Sequence, residues 1–314
     1  MEKRITSTAL LLITASMLHL SAADFVIKND VEFKKLFSEG AKLERLGTGM
    51  GFLEGPAWVP TADGFLVFSD IPNNELKKWT QQEGITTFRK PSNNANGNTV
   101  APEGRLVTAE HSGRRISLTR TDGAVVTIVD QYDGKKFNSP NDVVVKSDRT
   151  IWFTDPDYGL GKSPKEQEGN YVYRYDPKAK ENRAVIKDCD KPNGICFSPD
   201  ETKLYVADSG KPHHIRVFDV ARGGAVSNGK VFCVIDKGAP DGIRCDSEGR
   251  IWSSAADGIQ IFGSDGALIA KLLVPESPAN LCFGGSDGRT LFITARKSLY
   301  SISTLATVPK RPVQ

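Results

Sequence analysis

Apolar residues along this chain come in short runs, and between most of them no helical period is visible. The runs follow one repeating order. A polar residue opens a strand-like run, a turn containing Gly or Asp follows, and a second apolar run ends on a small or acidic residue. The first copy is Glu54-Gly55-Pro56-Ala57-Trp58, the turn Ala62-Asp63-Gly64, and a run ending at Asp70. Equivalent copies open at Asn96, Asn141, Asn193, Asp241 and Ala279, and close at Glu110, Asp155, Asp208, Ala255 and Ala295. Successive openings lie 42, 45, 52, 48 and 38 residues apart, the length of a four-stranded propeller blade. Runs at 171–175, 183–187, 215–219 and 230–235 supply outer strands for two of the blades. An α/β fold needs helical periodicity between its strands, and a sandwich does not repeat its turn chemistry at this interval. The pattern therefore predicts an all-β chain, a six-bladed β-propeller with a central channel.

Closure of the ring is also predicted. After the last repeat only 298–303 reads as a further strand, so the sixth blade is one strand short. Residues 42–48, just upstream of the first repeat, can supply it. Residues 30–38 before them read as a short amphipathic helix with Asp30 as N-cap and Gly40 near its end.

In a propeller the first strand of each blade lines the channel, so the opening positions form a ring. Here the ring is Glu54, Asn96, Asn141, Asn193, Asp241 and Ala279. Five of the six carry a side-chain oxygen in a place that is otherwise buried, where an unpaired polar group costs ~2–7 kcal/mol. Hydrogen bonding to neighbouring backbone accounts for one such asparagine more readily than for five at one repeat position. A hard divalent cation resolves the cost. Ca²⁺ takes about 6–8 oxygen ligands in forgiving geometry. Glu54 and Asp241 would neutralise its charge, and the asparagines would complete the shell beside water or substrate. Zn²⁺ suits the set less well, because no His or Cys stands in the ring; Mn²⁺ and Mg²⁺ stay open. Antiparallel pairing brings the second-strand ends, Asp70, Glu110, Asp155 and Asp208, to the same mouth. Singly each is expected to cap a turn or pair with Arg115 or His111; together they make the mouth negative. The loop 155–159 is the expected substrate wall, with Asn96, Asn141 and Asp155 as substrate contacts.

Composition narrows the function. Lys and Arg number 41 against 38 Asp and Glu, a balance that argues against a dedicated nucleic-acid or anionic-membrane binder. With 39% hydrophobic and 25% charged residues, the chain can bury a core and is not disordered. Lys3 and Arg4 precede an apolar stretch at 9–20, and Ser21-Ala22-Ala23 follows. That reads as a signal peptide, 1–23, too short to span a bilayer core of ~30 Å. The remainder, 24–310, is expected to be one exported domain, periplasmic or secreted, not membrane-bound, and a monomer or weak oligomer. Five cysteines lie at 189, 196, 233, 245 and 282, four of them in apolar runs, and are expected to be buried rather than paired. No GxSxG, HExxH or P-loop motif occurs.

Glu54-Gly55-Pro56-Ala57-Trp58 with Phe68-Ser69-Asp70-Ile71-Pro72 resembles the opening motif of the senescence marker protein / gluconolactonase / regucalcin family. Ser139-Pro140-Asn141-Asp142, Pro192-Asn193-Gly194 with Ser198-Pro199-Asp200, and Pro240-Asp241-Gly242 are similar to its later motifs, in order and at blade spacing. Asn96-Gly97 and Asp155-Pro156 look most like its bacterial gluconolactonase branch. The resemblance implies a propeller holding one divalent cation, often calcium, and an enzyme that hydrolyses a small sugar lactone. By motif, Glu54, Asn193 and Asp241 would be ligands, Asn141 a ligand or substrate contact, and Asp241 the general base or nucleophile. Asp155 or Asp208 is an alternative base. Animal members carry Arg two positions before the residue matching Asn141, where this chain has Ser139. A phosphotriesterase-type hydrolase and a non-catalytic ligand-binding propeller are the competing expectations.

Overall fold

A computed structural model describes residues 19–309, and its six repeats form six antiparallel sheets. Blade 1 holds Leu53–Val59, Phe65–Asp70, Glu75–Thr80 and Gly84–Arg89; blades 2 to 6 begin with Ala95–Val100, Val143–Val145, Pro192–Phe197, Ile243–Cys245 and Pro278–Gly284. The runs predicted at 171–175 and 183–187 are the third and fourth strands of blade 3. Those at 215–219 and 230–235 lie within or across the longer outer strands of blade 4, His214–Val220 and Val226–Val234.

The second strand of each blade is covered on both faces. In Ile151–Asp155, Ile151 and Phe153 face a cluster shared with blade 2, containing Val107, Ala109 and Ile116. Trp152 between them faces blade 4 through Leu204 and Val206. Side chains alternate across a strand, so a sheet wedged between two neighbours must be apolar at consecutive positions. That is why these runs lack a strict polar alternation.

The ring closes as predicted. Lys42–Gly47 pairs antiparallel with Ser298–Ser303, with Tyr300 opposite Arg45 and Ser301 opposite Glu44. Two further N-terminal strands were not predicted. Asp24–Ile27 adds to the outer edge of blade 5, and His19–Ala22 pairs outside Lys42–Gly47. The rest of the predicted signal peptide lies outside the described residues.

The predicted helix needs correction. It is one turn, Asp30–Phe33, and its cap is Asn29, whose side chain accepts the Glu32 N–H at 3.1 Å. Packing ends it early: Leu36 and Phe37 are buried among Trp252, Ile259 and Leu281, and the Phe37 ring lies 5.7 Å from that of Trp252. All five cysteines are buried and unpaired. Among the described residues no helix is long and apolar enough to cross a membrane.

Candidate functional site

Each ring position sits where its blade's first strand bulges or is about to begin. Register breaks lie at Glu54/Ala57, Ala95/Asn98, Pro192/Ile195 and Pro278/Asn280, while Asn141 and Asp241 stand just ahead of their strands. A bulge frees a residue from the ladder and re-aims its side chain.

The freed main chain is then tied to the next blade. Gly97 N–H donates to Asn141 O at 2.7 Å, Gly194 N–H to Asp241 O at 3.0 Å, and Gly242 N–H to Ala279 O at 2.8 Å. Second-strand hydroxyls take two more ring carbonyls: Ser69 donates to Asn96 O and Thr154 to Asn193 O, both at 2.6 Å. The glycine after the ring residue is forced by this approach. A Cβ at Gly55 would lie 2.0 Å from Asn96 O, and one at Gly194 2.3 Å from Asp241 O. With its carbonyls satisfied, the ring is left with its side chains for chemistry.

Glu54 is buried, and its Oε2 accepts Gly55 N–H at 2.8 Å and Asn280 Nδ2–H at 3.0 Å. Burial nevertheless pushes its carboxyl up to about 7, with the Asp142 charge adding to the effect. Asp241 is the one ring residue that keeps an appreciable part of its surface open. Burial and the Glu54 charge hold its carboxyl well above the ordinary range, opposed by the Asn193 amide. Asn193 also faces the Tyr158 hydroxyl, as does Ser209. The structure thus brings Glu54, Asn193 and Asp241 together. Asn96 and Asn141 occupy the same ring, and Asn96 Nδ2 lies 3.0 Å from His111 Nε2. Burial keeps His111 neutral by lowering its pKa to about 4.

Beneath the ring lies a layer that sequence reasoning missed. Asp142 Oδ2 accepts Arg244 Nη1–H at 3.1 Å, and Arg244 also donates to Ile243 O at 2.7 Å. A local signal marks this layer: Gly follows the ring residue in four blades, but Asp142 and Asn280 stand there in blades 3 and 6. At the opposite end of the same strands a cavity of about 260 Å³ is bordered by Cys196, Cys245, Cys282 and Phe283. Burial raises all three thiols, those of Cys196 and Cys282 to about 12, so they are inert filling.

Three of the second-strand acids are spent on neighbouring loops and side chains, and Asp155 is so on one oxygen alone. Asp70 accepts from Gly51 N–H and Asn73 Nδ2–H, Asp208 from Asp190 and Lys191 N–H, and Glu110 from Arg115, Ser117 and Asn93. Asp155 accepts Asn138 N–H at 2.8 Å, and burial raises it to about 7. None of the four has an appreciable surface open to a substrate. The loop after Asp155 is better placed. Ser139 Oγ donates to Pro156 O and accepts Gly159 N–H, while Tyr158 is 47% exposed beneath the Lys191 ammonium.

Among the described residues no three His, Cys, Asp or Glu side chains converge as a metal group. The ring's donors are instead two carboxylates and three amides. They fit a hard cation on two counts. Burial raises both carboxyls, with the Glu54 charge adding to the rise at Asp241, and Asn96 Oδ1 is a buried acceptor with no hydrogen-bond donor among the described residues. A divalent cation relieves both.

Fold and site together define a six-bladed propeller with an oxygen-lined ring at one mouth of its channel. The chain belongs to the SMP-30/gluconolactonase/LRE-like family, whose sequence profile matches residues 52–297. It is 34% identical to a gluconolactonase of Zymomonas mobilis, covering 83% of this chain and 81% of that protein. It is 31% identical to a 6-deoxy-6-sulfogluconolactonase of Pseudomonas putida, covering 82% of this chain and 87% of that one. A solved gluconolactonase from Xanthomonas campestris superposes with a TM-score of 0.85 at 33% identity, covering 91% of this chain and 97% of that chain.

Proposed function

We propose that this protein is a lactonase that opens small sugar lactones of the gluconolactone class at a divalent cation held in the ring. The observation carrying this reading is the meeting of Glu54, Asn193 and Asp241 at one channel mouth, inside the region matched by a lactonase family. Glu54, Asn141, Asn193 and Asp241 would hold the cation, Ca²⁺ by preference, with Mn²⁺, Mg²⁺ or Zn²⁺ as alternatives. When bound, it would supply Lewis-acid polarisation of the lactone carbonyl.

Asp241 is the candidate base because it alone in the ring keeps open surface, whereas Asp155 and Asp208 are sealed. It would take a proton from the attacking water as the water oxygen adds to the carbonyl carbon. The ring C–O bond then breaks, and that proton passes to the departing oxygen, leaving the open hydroxy acid. Asn193 keeps the Asp241 carboxylate oriented, and the loop 155–159 forms the wall against which the lactone lies. Lys3, Arg4 and the apolar stretch at 9–20 support export to the periplasm or beyond; N-terminal sequencing of the exported product should begin at Asp24.

The test follows proton release from glucono-1,5-lactone by chelator-stripped protein, alone and with Ca²⁺, Mg²⁺, Mn²⁺ or Zn²⁺. Activity restored by a cation and abolished in Asp241→Asn is expected. A trace no faster than spontaneous hydrolysis with every cation, from protein that binds the ion, would remove gluconolactone as substrate.

A further inference from the structure

The two halves of the Asn96 amide meet different fates. Nδ2 lies 3.0 Å from His111 Nε2, while Oδ1 is sealed from solvent and has no donor among the described residues. Buried acceptors are almost always paired, so an orphan asks what completes it. The oxygen presents almost no surface to solvent, which leaves little room for a water or a lactone hydroxyl against it. A bare cation such as Ca²⁺ approaches oxygen to about 2.3–2.6 Å, nearer than the ~2.7–2.8 Å of a hydrogen-bonded hydroxyl.

We propose that Asn96 is a further ligand of the ring cation rather than a substrate contact, and that His111 is the positioning residue that turns its oxygen inward. The inference rests on the reading of the ring as a cation site. A neutral imidazole offers one lone pair and one N–H. In the amide orientation the structure shows, Nδ2–H faces Nε2, which pairs with the imidazole tautomer protonated on Nδ1 and leaves Oδ1 turned away from the ring.

His111 is itself held from above. Gly159 presses on its ring, so closely that a Cβ there would lie 2.5 Å from the imidazole Cγ. That segment is pinned by Ser139, whose Oγ donates to Pro156 O at 2.6 Å and accepts Gly159 N–H at 2.8 Å. The backbone beneath it is tied as well, the His111 main-chain N–H donating to Asn94 O at 3.2 Å. A line of contacts therefore runs from Ser139 through the loop to His111, Asn96 and the ring. Partners that orient a metal ligand are typically worth about 10–100-fold in metal affinity.

Calorimetric titration of chelator-stripped protein with Ca²⁺, and separately with Mn²⁺ and Zn²⁺, tests this. Wild-type protein should bind one ion, and Asn96→Ala and His111→Phe should each bind it about 10–100-fold more weakly. His111→Gln, whose amide oxygen can accept the same N–H, should recover most of the loss, which a merely structural role does not predict. Unchanged affinity in folded Asn96→Ala, or no recovery in His111→Gln, overturns the proposal. Glu54→Gln separates the two readings. Loss there with Asn96→Ala unaffected removes only this inference; folded wild-type protein that binds none of the three ions removes the cation site and the inference with it.

Discussion

Two sets of buried polar side chains ring one mouth of the channel, and they are buried for opposite reasons. Three of the four acids ending the second strands are saturated, whereas Asp155 keeps one carboxylate oxygen without a partner. Asp208 takes two loop N–H groups just ahead of its own blade's first strand, and Glu110 takes Arg115, Ser117 and Asn93. Each fastens the loop entering its blade. The residues opening the first strands are left incomplete, with two carboxyls raised by burial, Asp241 further so by the Glu54 charge, and an amide oxygen unpaired. Apart from Asp241, the members of both sets are buried. What marks Asp70, Glu110 and Asp208 as structural acids is that neighbouring groups already satisfy both of their carboxylate oxygens.

Substitutions in each set should therefore break different properties. The largest effect is expected for Asp241→Asn or Glu54→Gln. Either should lower kcat/KM for glucono-1,5-lactone by about 10³-fold or more, as loss of a principal electrostatic group does, with unfolding by urea little changed. Asp208→Asn should leave cation binding intact. Comparable loss of cation affinity in Asp208→Asn and Asp241→Asn would erase the distinction.

Next comes Glu110→Gln. Its carboxylate is fully buried and faces Arg115 Nε at 2.6 Å and Arg89 Nη2 at 3.3 Å. Removing one charge from such a cluster leaves the others uncompensated, at a cost of about 3–5 kcal/mol. Urea unfolding at constant m-value measures it, and a loss below about 1 kcal/mol would mean that solvent already screens the cluster.

Repeats, ring and closure were legible in the sequence because each is written in consecutive residues. Glu54, Asn193 and Asp241 come together because blade spacing, which is local, places them in one ring. Their partners were not legible. Arg244 reaches Asp142 across 102 positions and Asn280 reaches Glu54 across 226, and no local pattern encodes which side chains meet across a channel. The helix was over-read for a related reason: Leu36 and Phe37 carry helical spacing, but the core of blades 5 and 6 claims them.

The pH dependence sharpens the comparison further. Glu54 and Asp155 are raised to about 7, and Asp241 is also raised. A carboxyl raised on folding stabilises below its unfolded pKa, and that contribution is lost as pH climbs through the folded value. The three should make cation-free protein less stable at pH 8 than at pH 5, Glu54 and Asp155 by roughly 2 kcal/mol each and Asp241 in the same direction. His111, lowered to about 4, acts the other way: its contribution is full above about 6.5 and fades as pH falls toward 4. Three carboxyls outweigh one imidazole, so stability should fall from pH 5 to pH 8. Saturating Ca²⁺ should remove the share of Glu54 and Asp241, and Asp155→Asn the share that Ca²⁺ leaves. Urea midpoints that rise from pH 5 to pH 8 without cation would refute this assignment.

The smallest expected effect lies at Tyr158. Its ring is half exposed under Lys191, while its hydroxyl faces Asn193 and Ser209. Tyr158→Phe keeps the ring as a wall and removes only the polar partner of Asn193. If the hydroxyl steadies the amide, cation affinity should fall by about tenfold, the lower end for such partners, with KM for the lactone nearly unchanged. If the tyrosine instead recognises a substrate hydroxyl, KM should rise while cation affinity stays. The first outcome would tie the loop 155–159 to the incomplete ring through Tyr158 and Asn193. The second would make that loop a specificity element standing apart from both sets of buried acids.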